Sequence, residues 1–357
     1  MRQSETYRWL VTEHSRRKLL AGLATVTAAT LFRPTPACAQ QSGIIDTHHH
    51  IYPPNYTKQN LQRIVSDVGV APASLYANWS PAYALERMDK AGVATAINSM
   101  SSPGVWFNDG EAGRGRAREC NEFGAQMMRD YPRRFGMFAA IPLPDIDGSL
   151  REISYGLDVL RLDGIGLLTS YAGKLLGDLA FVPVMEELNR RKAVVFVHPT
   201  MSCCGNVSPG ISAPTLEFPM DTARTITNLV MSGSFAQYSD IRFIFSHGGG
   251  VLLTVTNRIS SAIGRMPAEE RARKVPKGLD QMLQAQHYDL AGIGLNPAAM
   301  AGLRKMLPAS QLLYGSDEPL NSTIQMASSI LGLGFADAEL KAVQRENALQ
   351  LFPRLRA

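Results

Sequence analysis

Four short motifs hold most of the residue types able to bind a metal or move a proton: Asp46-Thr47-His48-His49-His50, His198-Pro199, Ser246-His247-Gly248-Gly249-Gly250 and Gly315-Ser316-Asp317-Glu318-Pro319. The chain has 7 histidines in 357 residues, and all but His14 and His287 lie in these motifs. His48, His50, His198 and Asp317 are the candidate metal ligands. Three imidazole nitrogens and one carboxylate oxygen suit Zn2+, with a position open for water or substrate. The same donors also accept Mn2+ or Mg2+. Side chains alternate along a strand, so His48 and His50 share a face and His49 points the opposite way. His49 is read as a hydrogen-bonding histidine behind the ligands. By the same parity Asp46 faces inward one pleat deeper, either as a further ligand or as the hydrogen-bond partner of a ligating imidazole. Three glycines follow His247, removing side-chain bulk so that backbone can approach a bound molecule. His247 is the candidate general acid/base, with a fifth-ligand or packing role as the alternative; well-placed proton transfer is worth about 10²–10⁴-fold. Among aromatics, Trp106, Tyr52 and Phe107 are candidates to stack on a planar substrate.

The elements that must position these motifs are short and apolar. Runs at Gly43–His50, Val93–Met100, Phe135–Pro142, Gly164–Leu168, Ala193–His198, Ile241–His247, Tyr288–Ala291 and Leu312–Gly315 alternate with segments of helical period, such as Gly115–Asp130, Ser149–Leu162, Leu179–Arg191, Ala223–Ser232, Pro297–Leu307 and Asp337–Leu351. Eight nearly all-apolar runs, each followed by a helix, predict an α/β fold, a closed (β/α)8 TIM barrel covered on both faces. In such a barrel the C-terminal strand ends form the face where active sites are built, and the four motifs fall at strand ends.

The first 39 residues read differently. Ser15-Arg16-Arg17-Lys18-Leu19-Leu20 is a twin-arginine pattern, a small-residue apolar stretch runs to Phe32, and Ala37-Cys38-Ala39 offers a small-x-small cleavage site. The apolar stretch falls short of the roughly 20 residues a membrane span needs. Thr35 stands where a lipid-anchored cysteine would need an apolar neighbour, so no stable membrane anchor is expected. The reading is a twin-arginine signal peptide over 1–39 and a single domain over 40–357, exported folded by the Tat machinery to a periplasm. Six Lys or Arg and two Asp or Glu fall within residues 1–39, so of the formal net charge of +5 little remains on the rest. That excludes a nucleic-acid-binding surface built on net charge. Cys120, Cys203 and Cys204 match no zinc-ribbon spacing, and a disulfide at Cys120 stays open for an oxidising compartment.

The motifs in this order resemble the amidohydrolase-related group that contains the aminocarboxymuconate-semialdehyde, 6-methylsalicylate and γ-resorcylate decarboxylases. The similarity extends to Arg118-Glu119-Cys120-Asn121-Glu122, Phe135-Gly136 and Glu217-Phe218-Pro219, and covers roughly residues 43–352. It implies an amidohydrolase-like barrel with one divalent ion on His48, His50, His198 and Asp317, and His247 beside it. It also implies a homodimer in which Arg258, eleven residues after His247, reaches across to bind the substrate carboxylate. Some relatives carry Glu where this chain has Asp46. The implied reaction is non-oxidative decarboxylation of an aromatic or unsaturated cyclic carboxylic acid, the proton coming from Asp317 or through His247. Related barrels hydrolyse lactones or amides with the same ligand types, so a metal-dependent hydrolase is the alternative; an exported binding protein without chemistry is a third.

Overall fold

Eight strands form where the apolar runs stand: β1 (Ile44–His50), β2 (Val93–Ser99), β3 (Phe135–Ala140), β4 (Gly164–Leu168), β5 (Val194–His198), β6 (Arg242–Phe245), β7 (His287–Asp289) and β8 (Leu312–Leu313). The computed structural model describes residues 43–69, 71–201 and 210–356. The expected leader, Cys203 and Cys204 lie outside them. The strands make one sheet in sequential order, and every neighbouring pair is parallel. Backbone hydrogen bonds join β1 to the segment after β8: the Thr47 N–H donates to the Tyr314 carbonyl, that of Asp317 to His48, and that of His50 to Glu318. With helices between the strands, this is a (β/α)8 TIM barrel.

The barrel interior is filled by Ile45, Ile97, Phe138, Val194, Phe196, Ile244 and Leu313, closed by Ala348, Leu351, Phe352 and Leu355 of the C-terminal segment. Phe138 stacks on Phe196 with ring centroids 5.2 Å apart and meets Phe352 edge-on at 5.8 Å. Phe196 in turn carries the His48 ring at 5.0 Å, so an aromatic column forms the floor of the site.

Ile45 belongs to this interior, yet so do His48 and His50, and an unbroken two-residue alternation cannot place all three there. The pairing of β1 with β2 shifts register between Asp46 and His49, and that irregularity turns the histidines inward. Strand β8 is shorter than the run Leu312–Gly315, because the Tyr314 N–H bonds to Val343 rather than to the sheet. The helix expected from Ala223 begins at Glu217 (Glu217–Ser232); Pro219 in its first turn lacks an N–H that no helical partner would have used. The segment Ser149–Leu162 divides into an α-helix, Ile146–Ser154, and a π turn, Tyr155–Val159. Helices Pro54–Val68, Pro81–Ala91 and Leu252–Gly264 fill further gaps between the strands, the last carrying Arg258. Cys120 is buried as a free thiol. No helix among the described residues is long and apolar enough to cross a membrane.

Candidate metal centre and its cleft

His48 and His50 come from β1, His198 from the end of β5, and Asp317 from the turn after β8. One potential ligand atom from each lies within 4.8 Å of all the others, and all four residues are buried. Their outward-facing nitrogens are already committed. The Nδ1 of His48 lies 3.0 Å from Asp289 Oδ2, that of His198 lies 2.7 Å from the Pro199 carbonyl, and that of His50 lies 3.3 Å from the Ser99 carbonyl. A carbonyl or carboxylate only accepts, and the Ser99 hydroxyl, 3.1 Å from His50 Nδ1, gives its own hydrogen to the His49 carbonyl, so each neutral ring keeps its hydrogen on Nδ1 and presents a bare Nε2.

Those bare atoms then face one another. The Nε2 atoms of His48 and His50 are 3.2 Å apart, and Asp317 Oδ1 lies 3.3 Å from the first and 3.0 Å from the second. Lone pairs crowded in this way repel unless a cation sits among them. The spacing fits donors sharing one ion at about 2.0–2.2 Å. Electrostatics says the same. Burial opposes a charged His48, but the carboxylates of Asp289 and Asp317 outweigh it and lift its pKa to about 10. Positive charge is favoured here whether it arrives as a proton or as a metal. Burial opposes a charged Asp317 too, and His48 and His50 nonetheless hold it well below the usual carboxylate range. Burial and the neighbouring imidazoles push His198 well below the usual histidine range.

Asp46 is turned elsewhere. Its Oδ1 accepts from the backbone N–H groups of His48, at 3.0 Å, and Ser316, at 3.1 Å, and its Oδ2 accepts from the Ser316 hydroxyl at 2.5 Å. It ties β1 to the segment carrying Asp317 and joins no imidazole. Burial pushes its carboxyl up to about 7 against these hydrogen bonds. His49 is fully buried, and neither ring nitrogen hydrogen-bonds with normal geometry among the described residues. It therefore orients no ligand, and burial pushes its pKa down to about 3.

His247 stands on a left-handed turn, φ 54°, directly after β6. Gly248, Gly249 and Gly250 continue at positive φ, which only glycine adopts without strain. A Cβ on Gly250 would run into the Pro219 carbonyl oxygen. The glycines thus serve the turn and its packing on helix Glu217–Ser232. The Nδ1 of His247 donates to the Ala291 carbonyl at 3.1 Å, leaving Nε2 free, and its ring lies 4.9 Å from that of His48. Asp289, in the run Tyr288–Ala291, was missed by the sequence reading, which looked to the strand ends that carry histidine or the Gly315–Pro319 motif. Beyond binding His48, it accepts from the backbone N–H of His247 at 3.2 Å and of Ala291 at 2.9 Å. A lone carboxylate ending an apolar strand was the available signal. Asn321 was missed too; its amide donates to Asp317 Oδ2 at 2.8 Å.

His198, His247, Asp317 and Asn321 line a cleft of about 700 Å³ whose apolar wall includes Phe218, Ile293 and Leu320. Trp106, Tyr52 and Phe107 do not line it. The Trp106 carbonyl accepts from Arg116 at 2.8 Å, Tyr52 is buried against Tyr76, and Phe107 lies under the Arg116 guanidinium. The aromatic group of the cleft is Phe218. Among the described residues that line it, none is Lys or Arg. Arg258 is exposed on helix Leu252–Gly264 and is not among them.

The amidohydrolase family model matches residues 45–354. This chain belongs to the amidohydrolase family. Within that family it is 33% identical over 332 residues to the decarboxylase yanB of Aspergillus niger, covering 87% of each chain. To the 6-methylsalicylic acid decarboxylase acuB of Aspergillus aculeatus it is 32% identical over 327 residues, covering 87% of this chain and 96% of the other. The dihydroxybenzoic acid decarboxylase of Polaromonas sp., solved with manganese and the inhibitor 2-nitroresorcinol, superposes with a TM-score of 0.75 at 21% identity over 88% of this chain and 98% of that one. The homologues of this amidohydrolase-fold chain are thus carboxy-lyases, and its clustered donors form a divalent-metal site.

Proposed function

We propose that this chain is a metal-dependent, non-oxidative decarboxylase of aromatic carboxylic acids. The convergence of three bare imidazole nitrogens and one carboxylate oxygen beside a free His247 nitrogen, at the edge of a cleft, carries the reading. A bound divalent ion would act as Lewis acid and template for the substrate carboxylate and a neighbouring hydroxyl. The chain's own groups do the rest. His247, fixed through Nδ1 to Ala291, has one nitrogen left to carry a proton to the ring carbon bearing the carboxylate. Asp317 is less free, because Oδ1 lies among the ligand nitrogens and Oδ2 is held by Asn321. Protonation interrupts ring conjugation, and loss of carbon dioxide restores it. Phe218 and Leu320 supply a dry wall for a planar ring.

The donor set favours Zn2+ as the resident ion. Arg258 of a second copy would supply a cation absent from the described cleft lining, making the active unit a homodimer. Residues 1–39 would direct export by the twin-arginine route to the periplasm; replacing Arg16 and Arg17 with Lys should leave uncleaved precursor in the cytoplasm on fractionation. The primary test pairs elemental analysis of the purified protein with carbon dioxide release from a panel of hydroxybenzoates. About one zinc per chain with carbon dioxide released supports the proposal. Metal with turnover of lactones or amides but no carbon dioxide would transfer the site to a hydrolase.

A further inference from the structure

Asp317 has a left-handed backbone, φ 68°, a conformation a non-glycine residue keeps only where its surroundings impose it. On one side the constraint is Ser316, pinned by the Asp46 carboxylate through backbone and hydroxyl. On the other side it is Glu318, whose side chain binds a helix rather than the cleft. Glu318 is fully buried. Its Oε1 accepts from Arg87 Nε at 2.5 Å and from the Tyr83 hydroxyl at 3.4 Å, and its Oε2 accepts from Arg87 Nη2 at 3.1 Å and from the Thr323 backbone N–H at 2.9 Å. Arg87 Nη2 also donates to the Ser322 hydroxyl at 3.0 Å, and Ser322 caps helix Thr323–Ser329. Arg87 sits on helix Pro81–Ala91, begun by Ser80 capping the Tyr83 N–H and ended by Gly92.

One guanidinium therefore grips the residue that follows Asp317 and the cap of the next helix. A forked, charge-assisted pair fixes direction as well as distance, which a single-point ammonium does not. The backbone of Glu318 is meanwhile bonded to β1 through its carbonyl and the His50 N–H. The strut thus runs from helix Pro81–Ala91, through Glu318, to the strand that carries two of the other ligands. We propose that Arg87 and Glu318 are positioning residues that set Asp317 at the metal centre. This rests on Asp317 being a ligand.

The test is Mn2+ titration of the metal-stripped full chain, by chelator competition, in the wild type and in three variants. Asp317→Ala tests the ligand reading by itself: unchanged affinity there would overturn that reading and the strut with it. The double variant Arg87→Met with Glu318→Gln removes both charges, so no carboxylate is left buried and unpaired. It is expected to fold with a near-wild-type circular dichroism spectrum and to bind Mn2+ about 10–100-fold more weakly, as loss of a partner behind a ligand does. Arg87→Lys keeps the charge but loses the fork, and an intermediate affinity is expected. If Asp317→Ala loses Mn2+ while a folded double variant binds as tightly as wild type, the pair only stabilises the fold and the proposal fails. Should the double variant not fold, Arg87→Lys decides in the same way, with wild-type affinity overturning the strut.

Discussion

One carboxylate links the two halves of the site. Asp289 holds the His48 imidazole with one oxygen and the backbone of His247 and Ala291 with the other. Asp289→Asn would turn a donor towards His48 Nδ1, forcing the ring hydrogen onto Nε2, the wrong tautomer for a ligand. Metal affinity should fall by about 10–100-fold with the fold intact, measured by chelator competition beside circular dichroism. Unchanged affinity would mean that His48 does not bind through Nε2. His198 and His247 should separate by phenotype. His198→Ala is expected to lose metal and turnover together. His247→Ala should retain metal and lose about 10²–10⁴-fold in kcat; metal loss in that variant would convict His247 of being a ligand instead.

At the scale of elements, the site depends on turns that run directly from strand to loop. The segment after β6 stays at positive φ from His247 through Gly250, and Gly250 presses on the first turn of helix Glu217–Ser232. Gly250→Ala adds both a strained φ and an overlap with the Pro219 carbonyl, so a loss of about 2 kcal/mol or more is expected. A urea midpoint equal to wild type would show that the two segments can separate freely. Gly69→Ala is the control, since its φ is also positive but no atom stands within 4 Å of the added carbon. The difference between the two variants reports the contact together with the harsher backbone of Gly250, whose ψ is −123° where that of Gly69 is 6°.

For the whole molecule, the question is whether one chain completes its own site. The cleft has imidazole and carboxylate donors, the free nitrogen of His247 and an apolar wall, yet no lysine or arginine among its described lining residues, while Arg258 is exposed on helix Leu252–Gly264. If Arg258 serves the cleft of a second copy, Arg258→Ala and His247→Ala proteins should each be nearly inactive alone. Mixed and allowed to exchange, they would form some dimers with one intact site, recovering up to about a quarter of wild-type activity by random pairing in a two-fold dimer. No recovery on demonstrated subunit exchange would return Arg258 to the solvent-facing role its helix gives it.

The barrel and the clustering of His48, His50, His198 and Asp317 were legible from the sequence because both depend on local pattern. Apolar runs alternate with helices, and the rare metal-binding side chains stand at the run ends, where a barrel collects them. Only the tertiary structure decided what lies across those ends. Asp289 and Arg87 act on partners 241 and 231 residues away, and no spacing rule reaches so far. Strand parity misplaced Asp46 because β1 shifts register beside its neighbour, a feature set by pairing rather than by its own residues. The aromatic wall came from Phe218 rather than Trp106 for the same reason: which loop side chains turn into a cleft is decided by how the loops pack on one another.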